Sequence, residues 1–138
     1  MILTIPIKYF IIEPYVVVGA SMSPNFETGH YLIVNKLKNT SKIERGDILV
    51  FSSPKDRHIS PKLRFTVYFD QRDKYIKRVI GLPFETIKLE GNYVFLKKQN
   101  EKEFIKLNEP YLKELGNYRG VTTTLKYDEF FMLGDNRN

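Results

Sequence analysis

The sequence contains no cysteine. That excludes a disulfide framework, a thiolate nucleophile and a cysteine-held metal. It has only two histidines, His30 and His58. Neither has a partner at metal-ligand spacing, so both read as structural or solvent-facing, and no metal is expected. With so little histidine, a Ser-His-Asp triad is disfavoured. There is no Gly-rich phosphate loop and no other cofactor motif, so no cofactor is expected. Internal repeats, low-complexity tracts and Gly/Ser linkers are absent, and so is any long helical period. No apolar run reaches the roughly 20 residues that a membrane-spanning helix needs.

What is present suits a globular β protein. The 138 residues fit one domain, 42% of them apolar and 28% charged. Nine tyrosines and ten phenylalanines, many beside Val, Ile or Thr, favour strands. The formal charge is +6. Such a surface can draw nucleic acid or an anionic membrane face. However, the lysines are spread along the chain with acids among them. The charge therefore reads as a solvated surface, and nucleic acid is not an expected partner.

Residues 1–14 are mostly apolar, interrupted by Lys8 and closed by Pro14. They read either as a buried strand or as the end of a membrane anchor. They do not make a signal peptide, for want of a basic start and a small-residue cleavage site. Residues 15–138 read as one β-rich domain. Strands are expected at Tyr15–Val18, Tyr31–Val34, Ile48–Phe51, Phe65–Phe69, Tyr75–Ile80, Val121–Leu125 and Glu129–Leu133. The run Ile48–Phe51 reads as buried on both faces. Alternation in Glu85–Leu89 and Asn92–Leu96, with Glu90-Gly91 between, predicts a hairpin. A further strand is expected within Glu101–Leu107. Lys38–Glu44 reads as a polar loop, residues 52–73 as an insertion-like loop, and Asp70–Asp73 as a charged turn. Pro110 suits the first turn of one short helix over Glu109–Leu115. The expected fold is mainly β: coiled antiparallel sheets and hairpins with one short helix.

Two groups can carry chemistry. Ser21 lies in Val18-Gly19-Ala20-Ser21-Met22-Ser23-Pro24, among small residues that let the backbone turn sharply. On this stretch alone it is either a nucleophile or an ordinary turn serine. Lys77 lies between Tyr75-Ile76 and Val79-Ile80, whereas most of the other lysines sit among polar neighbours. Alternation puts Lys77 and Arg78 on opposite faces of the strand. A free lysine has a pKa near 10.4, so only about one in 2,500 is neutral at pH 7. Burial favours the neutral form and makes lysine a usable base. The other reading is an edge lysine whose charge reaches water.

Five ordered segments carry a resemblance. They are Ser21-Met22-Ser23-Pro24; Gly29 to Lys36; Arg45-Gly46-Asp47-Ile48-Leu49-Val50-Phe51; Tyr75-Ile76-Lys77-Arg78-Val79-Ile80-Gly81-Leu82-Pro83; and Gly134-Asp135-Asn136-Arg137. Together, and over nearly the whole chain, they resemble type I signal peptidase, the membrane-bound serine endopeptidase that removes signal peptides from exported preproteins.

The resemblance implies a Ser/Lys dyad in which Ser21 attacks and neutral Lys77 takes its proton. The backbone N–H of Ser21 would serve the oxyanion. Some members add a hydroxyl two residues before the nucleophile; that position here is Gly19. Pocket walls would be Tyr15, Val17, Met22, Phe26, Tyr75 and Ile76, accepting small residues before the cut. Asp47, Arg78 and Asp135 would be structural supports, with Arg78 and Asp135 paired. The resemblance also implies preprotein signal peptides as substrates and contact with the membrane lipid surface. It places the protein as a single-pass or anchored protein of the plasma membrane, its catalytic domain on the extracytoplasmic side. It implies a chain that is partial at both ends, with a membrane helix before it and a Ser/Asp/Arg-bearing segment after it. One departure is Phe84, where the family usually has glycine after Gly81-Leu82-Pro83. The competing reading is a catalytically inactive β-domain with a binding or membrane-association role.

Overall fold

The computed structural model describes residues 11–37, 40–52 and 74–138. Among these residues it has nine strands and one short 3-10 turn, Thr40–Lys42. The strands are β1 (Ile12–Val16), β2 (Tyr31–Asn35), β3 (Ile48–Ser52), β4 (Lys74–Gly81), β5 (Thr86–Gly91), β6 (Tyr93–Lys97), β7 (Ile105–Lys106), β8 (Tyr118–Thr124) and β9 (Phe131–Leu133). They form three antiparallel sheets, ordered β1-β2, β3-β4-β9 and β7-β6-β5-β8. The mainly β class follows from short alternating runs rich in β-branched and aromatic residues.

The core lies over the largest sheet. Ile87 and Leu89 of β5 and Val94 and Leu96 of β6 are buried with Ile80 and Leu125. Their alternation with Lys88 and Phe95 gives β5 and β6 one apolar face. Glu90 pairs with Tyr93, so Gly91-Asn92 form a two-residue hairpin turn. Gly91 has φ 56°, the left-handed conformation such turns require.

Several expectations are corrected. No helix forms over 109–115; a single turn bond runs from Leu112 N–H to Glu109 O, 3.2 Å. A segment of this length has little helical stability of its own and takes the conformation its tertiary contacts favour. Its side chains bond elsewhere instead: Arg137 Nη2 donates to Glu109 Oε1 at 2.5 Å, and Tyr111 Oη donates to the same oxygen at 2.6 Å. Pro14 does not close the first segment but sits inside β1, opposite Ile33. Backbone bonds join Lys36 N–H to Ile11 O and Val17 N–H to His30 O. Alternation from these puts Pro14 at a position whose missing N–H would face away from β2, which an edge strand tolerates. β3 is half-buried along its length rather than buried on both faces; among the described residues it is the edge of its sheet. The expectations for residues 1–10, His58, the strand at 65–69 and the insertion-like loop beyond Ser52 lie outside the described residues.

Phe84 has φ 68°, the only positive value at a non-glycine among the described residues. Its N–H donates to Leu125 O at 3.1 Å, which holds the turn between β4 and β5. A side chain in this region costs about 1–2 kcal/mol. Phe84→Gly and Phe84→Ala both remove the half-exposed ring, but only glycine relieves the backbone. The glycine variant should therefore be more stable than the alanine variant by about 1 kcal/mol. Urea denaturation of the two variants measures the difference.

Candidate active site

The ladder of β1 and β2 continues past Val16 through Val17, whose N–H donates to His30 O and whose carbonyl accepts from Gly29 N–H, both 2.9 Å. The chain then turns at Gly19, where φ is 98°. Thr28 Oγ1 accepts from the Gly19 N–H at 3.0 Å and donates to the Gly19 carbonyl at 3.2 Å. Residues 20–26 wind into a compact turn. Ser23 N–H reaches Ala20 O at 3.1 Å and Phe26 N–H reaches Met22 O at 2.9 Å. The Ser23–Pro24 bond is cis. Met22 is buried and pins this turn, leaving Ser21 exposed.

The central strand β4 presents the lysine. Lys77 is opposite Leu49 of β3, and its Nζ is hydrogen-bonded to Ser21 Oγ. Burial lowers the Lys77 pKa from its ordinary value, opposed in part by the Asp135 carboxylate. A lysine whose neutral form burial makes easier to reach, touching a serine hydroxyl, can accept that hydroxyl's proton.

On the other face of β4, Arg78 grips Asp135 in a bidentate pair: Nε to Oδ1 at 2.8 Å and Nη2 to Oδ2 at 2.6 Å. Asp135 is only 2% exposed. Arg78 Nη1 donates to Gly46 O at 2.9 Å, and its guanidinium lies 4.0 Å over the Tyr111 ring. Asp47 shapes the neighbouring turn by accepting from Glu44 N–H at 2.8 Å through its carboxylate. Its carbonyl accepts from Val79 N–H at 2.8 Å.

A groove of about 470 Å³ runs past the serine and lysine, with Tyr15, Val17, Tyr75 and Ile76 among its lining. A neighbouring cavity of about 610 Å³, between β1-β2 and β3, takes Phe26 as well as Tyr15 and Ile76. Met22 faces neither; it is buried beneath the serine turn. Among the described residues, no group of three or more His, Asp or Glu can hold a metal.

Four contributors were given no role by the sequence reading. Asn136 N–H donates to Ser21 O at 3.0 Å, and its side-chain amide donates to Ala20 O at 3.1 Å. Asn25 and Tyr111 join the Arg78–Asp135 pair. Gly134 lies so close that an added Cβ would be 2.1 Å from Ser21 O. The signal available was the run Gly134-Asp135-Asn136, whose three members all reach the serine turn or the strand bearing the lysine. Gly134→Ala must push the Ser21 backbone aside. Any reaction that uses the Ser21 hydroxyl should slow by about 100-fold, the scale of an ångström's misplacement. Initial-rate assays beside a melting curve separate this loss from unfolding.

Fold and site define a class: mainly β domains that hold a serine against a lysine beside an apolar groove. Residues 1–138 match the family described as "Signal peptidase, peptidase S26". The chain is 32% identical over 142 residues to "Signal peptidase I P" of Bacillus subtilis subsp. natto, covering 99% of this chain and 68% of that protein. It is 34% identical over 152 residues to "Signal peptidase I V" of Bacillus subtilis (strain 168), covering 99% and 77%. It is 32% identical over 140 residues to "Signal peptidase I" of Leptolyngbya laminosa, covering 100% of this chain and 62% of that protein. The chain belongs to the signal peptidase family, peptidase S26. Membership supports a peptidase that cleaves signal peptides. Among the described residues, no helix is long and apolar enough to cross a membrane.

Proposed function

We propose that this protein is a membrane-associated serine endopeptidase that removes signal peptides from exported preproteins through a Ser21/Lys77 dyad. The observation that carries the reading is the hydrogen bond between Ser21 Oγ and Lys77 Nζ, beside a groove lined by Tyr15, Val17, Tyr75 and Ile76. Neutral Lys77 accepts the hydroxyl proton as Ser21 Oγ bonds to the scissile carbonyl carbon. The oxyanion so formed takes the N–H of Ser21, which donates to no other described residue. Collapse breaks the C–N bond, and the Lys77 ammonium returns a proton to the leaving amine. Water then attacks the ester, Lys77 takes its proton, the ester C–O bond breaks, and the proton returns to Ser21 Oγ.

The substrates under this reading are preproteins with small residues before the cut, bound as an added extended strand. The exposed apolar residues Val16, Val18, Tyr31 and Ile33 of the β1-β2 sheet and its extension support contact with a membrane lipid surface. Extracytoplasmic placement at the plasma membrane completes the proposal.

The test is preprotein cleavage in detergent micelles, comparing the parent with Ser21→Ala and scanning pH. Cleavage should follow a small residue and vanish in the variant. With the Lys77 pKa lowered by burial, its neutral fraction increases with pH. The rate should therefore rise along a limb centred below the ordinary lysine range. A folded parent that cuts nothing would turn the reading toward an inactive β-domain, and a variant that cuts as well as the parent would remove Ser21 from the role of nucleophile.

A further inference from the structure

We infer that Asn25 is a positioning residue that couples the serine turn to the lysine-bearing strand through Asp135. This rests on the dyad reading above and goes beyond it. Asn25 is exposed, but its side-chain amide turns inward. Nδ2 donates to Asp135 Oδ2 at 2.8 Å and to Tyr111 O at 3.0 Å. A primary amide has two N–H donors, and both are used here.

The consequence lies in what else Asp135 and Tyr111 hold. Asp135 accepts both bonds of the bidentate Arg78 pair, and Tyr111 stacks on that same guanidinium. Arg78 is the residue after Lys77 on β4. Asn25 lies within the turn of residues 20–26, whose Met22 is buried. The nucleophile and the base are thus each a few bonds from one buried carboxylate. Asp135 is the shared anchor, and Asn25 is the serine side's hold on it. On the same turn, Asn136 fixes the Ser21 and Ala20 carbonyls. Without Asn25 the serine turn keeps those two contacts but loses its tie to Asp135 and Tyr111. The Ser21 hydroxyl can then drift from Lys77 with the fold unchanged.

Asparagine is specific to this arrangement. Asn25→Ala removes both donors. Asn25→Asp keeps the shape but turns a donor into a carboxylate facing Asp135, with like charges at hydrogen-bond distance. A residue that only fills space would tolerate the aspartate; a donor residue would not.

The experiment measures kcat and KM for preprotein cleavage by parent, Ser21→Ala, Asn25→Ala and Asn25→Asp, each checked for a cooperative melt. The inference expects kcat for Asn25→Ala to fall about 10- to 100-fold, the scale for displaced reacting groups, with KM within a factor of two. Asn25→Asp should be impaired at least as much. Full kcat in Asn25→Ala, in a preparation where the parent cuts and Ser21→Ala does not, overturns the inference alone. So does a loss confined to KM, or parent-like activity in Asn25→Asp. A parent that fails to cut overturns the peptidase reading and this inference with it. If Asn25→Asp does not fold, Asn25→Ala decides the matter.

Discussion

Lys77→Ala should lower preprotein cleavage by about 10⁴-fold or more while leaving the protein folded. A positioned general base contributes about 10²- to 10⁴-fold, and losing one member of a unit that acts with a nucleophile can cost nearly as much as losing all of it. In the fold, Lys77 Nζ is hydrogen-bonded to Ser21 Oγ. No other lysine among the described residues is hydrogen-bonded to Ser21. Stability should hold because burial disfavours the Lys77 charge, and alanine removes that penalty. The measurements are single-turnover cleavage and thermal melting on the same sample. A folded variant retaining more than about a tenth of parental activity would remove Lys77 from the role of base, given the size of such effects.

Asp135→Ala should produce the largest loss of stability, about 3–5 kcal/mol. The side chain is 2% exposed and satisfies three donors: Arg78 Nε, Arg78 Nη2 and Asn25 Nδ2. Alanine leaves the Arg78 guanidinium largely buried and facing no carboxylate; its side chain is 13% exposed. An uncompensated buried charge costs far more than a surface ion pair is worth. Domains of this size have only about 5–15 kcal/mol in total. The melting temperature should therefore fall by on the order of 10–20 °C. Asp135→Asn retains one acceptor and should lose less. A melt within about 2 °C of the parent's would mean that the pair adds no more than an exposed ion pair does. Cleavage should also fail in the folded fraction of Asp135→Ala, because the same carboxylate ties the Lys77 strand to the serine turn.

Local pattern made much of the fold legible before any coordinates. The hairpin of β5 and β6 was readable because alternating apolar residues flank a turn whose Gly91 has the positive φ that glycine permits. The strand around Lys77 was readable because apolar residues bracket a single Lys-Arg pair. Where the reading failed, distant partners decided. Pro110 and the residues after it suggested a helix, but Glu109 is taken by Arg137, far along the chain. Pro14 suggested a strand end, yet at position 14 the pairing of β1 with β2 has no need of an N–H. Phe84 carries positive φ against its own preference because the turn between β4 and β5 requires it.

The site divides the same way. Composition and spacing marked Ser21 in a small-residue turn and Lys77 in an apolar strand only as candidates beside plainer readings, and the ordered motifs of one family made them a dyad. Their meeting across 56 positions is a tertiary fact. So is the gathering of Asn25 and Arg78 on Asp135, and of Asn136 on the serine turn. The sequence by itself determined the strand-rich class and the chemically capable side chains, because period and residue type act over a few positions. Which of those side chains face one another was decided only by the tertiary structure. Sheet pairing and one buried carboxylate bring together segments that no local rule connects.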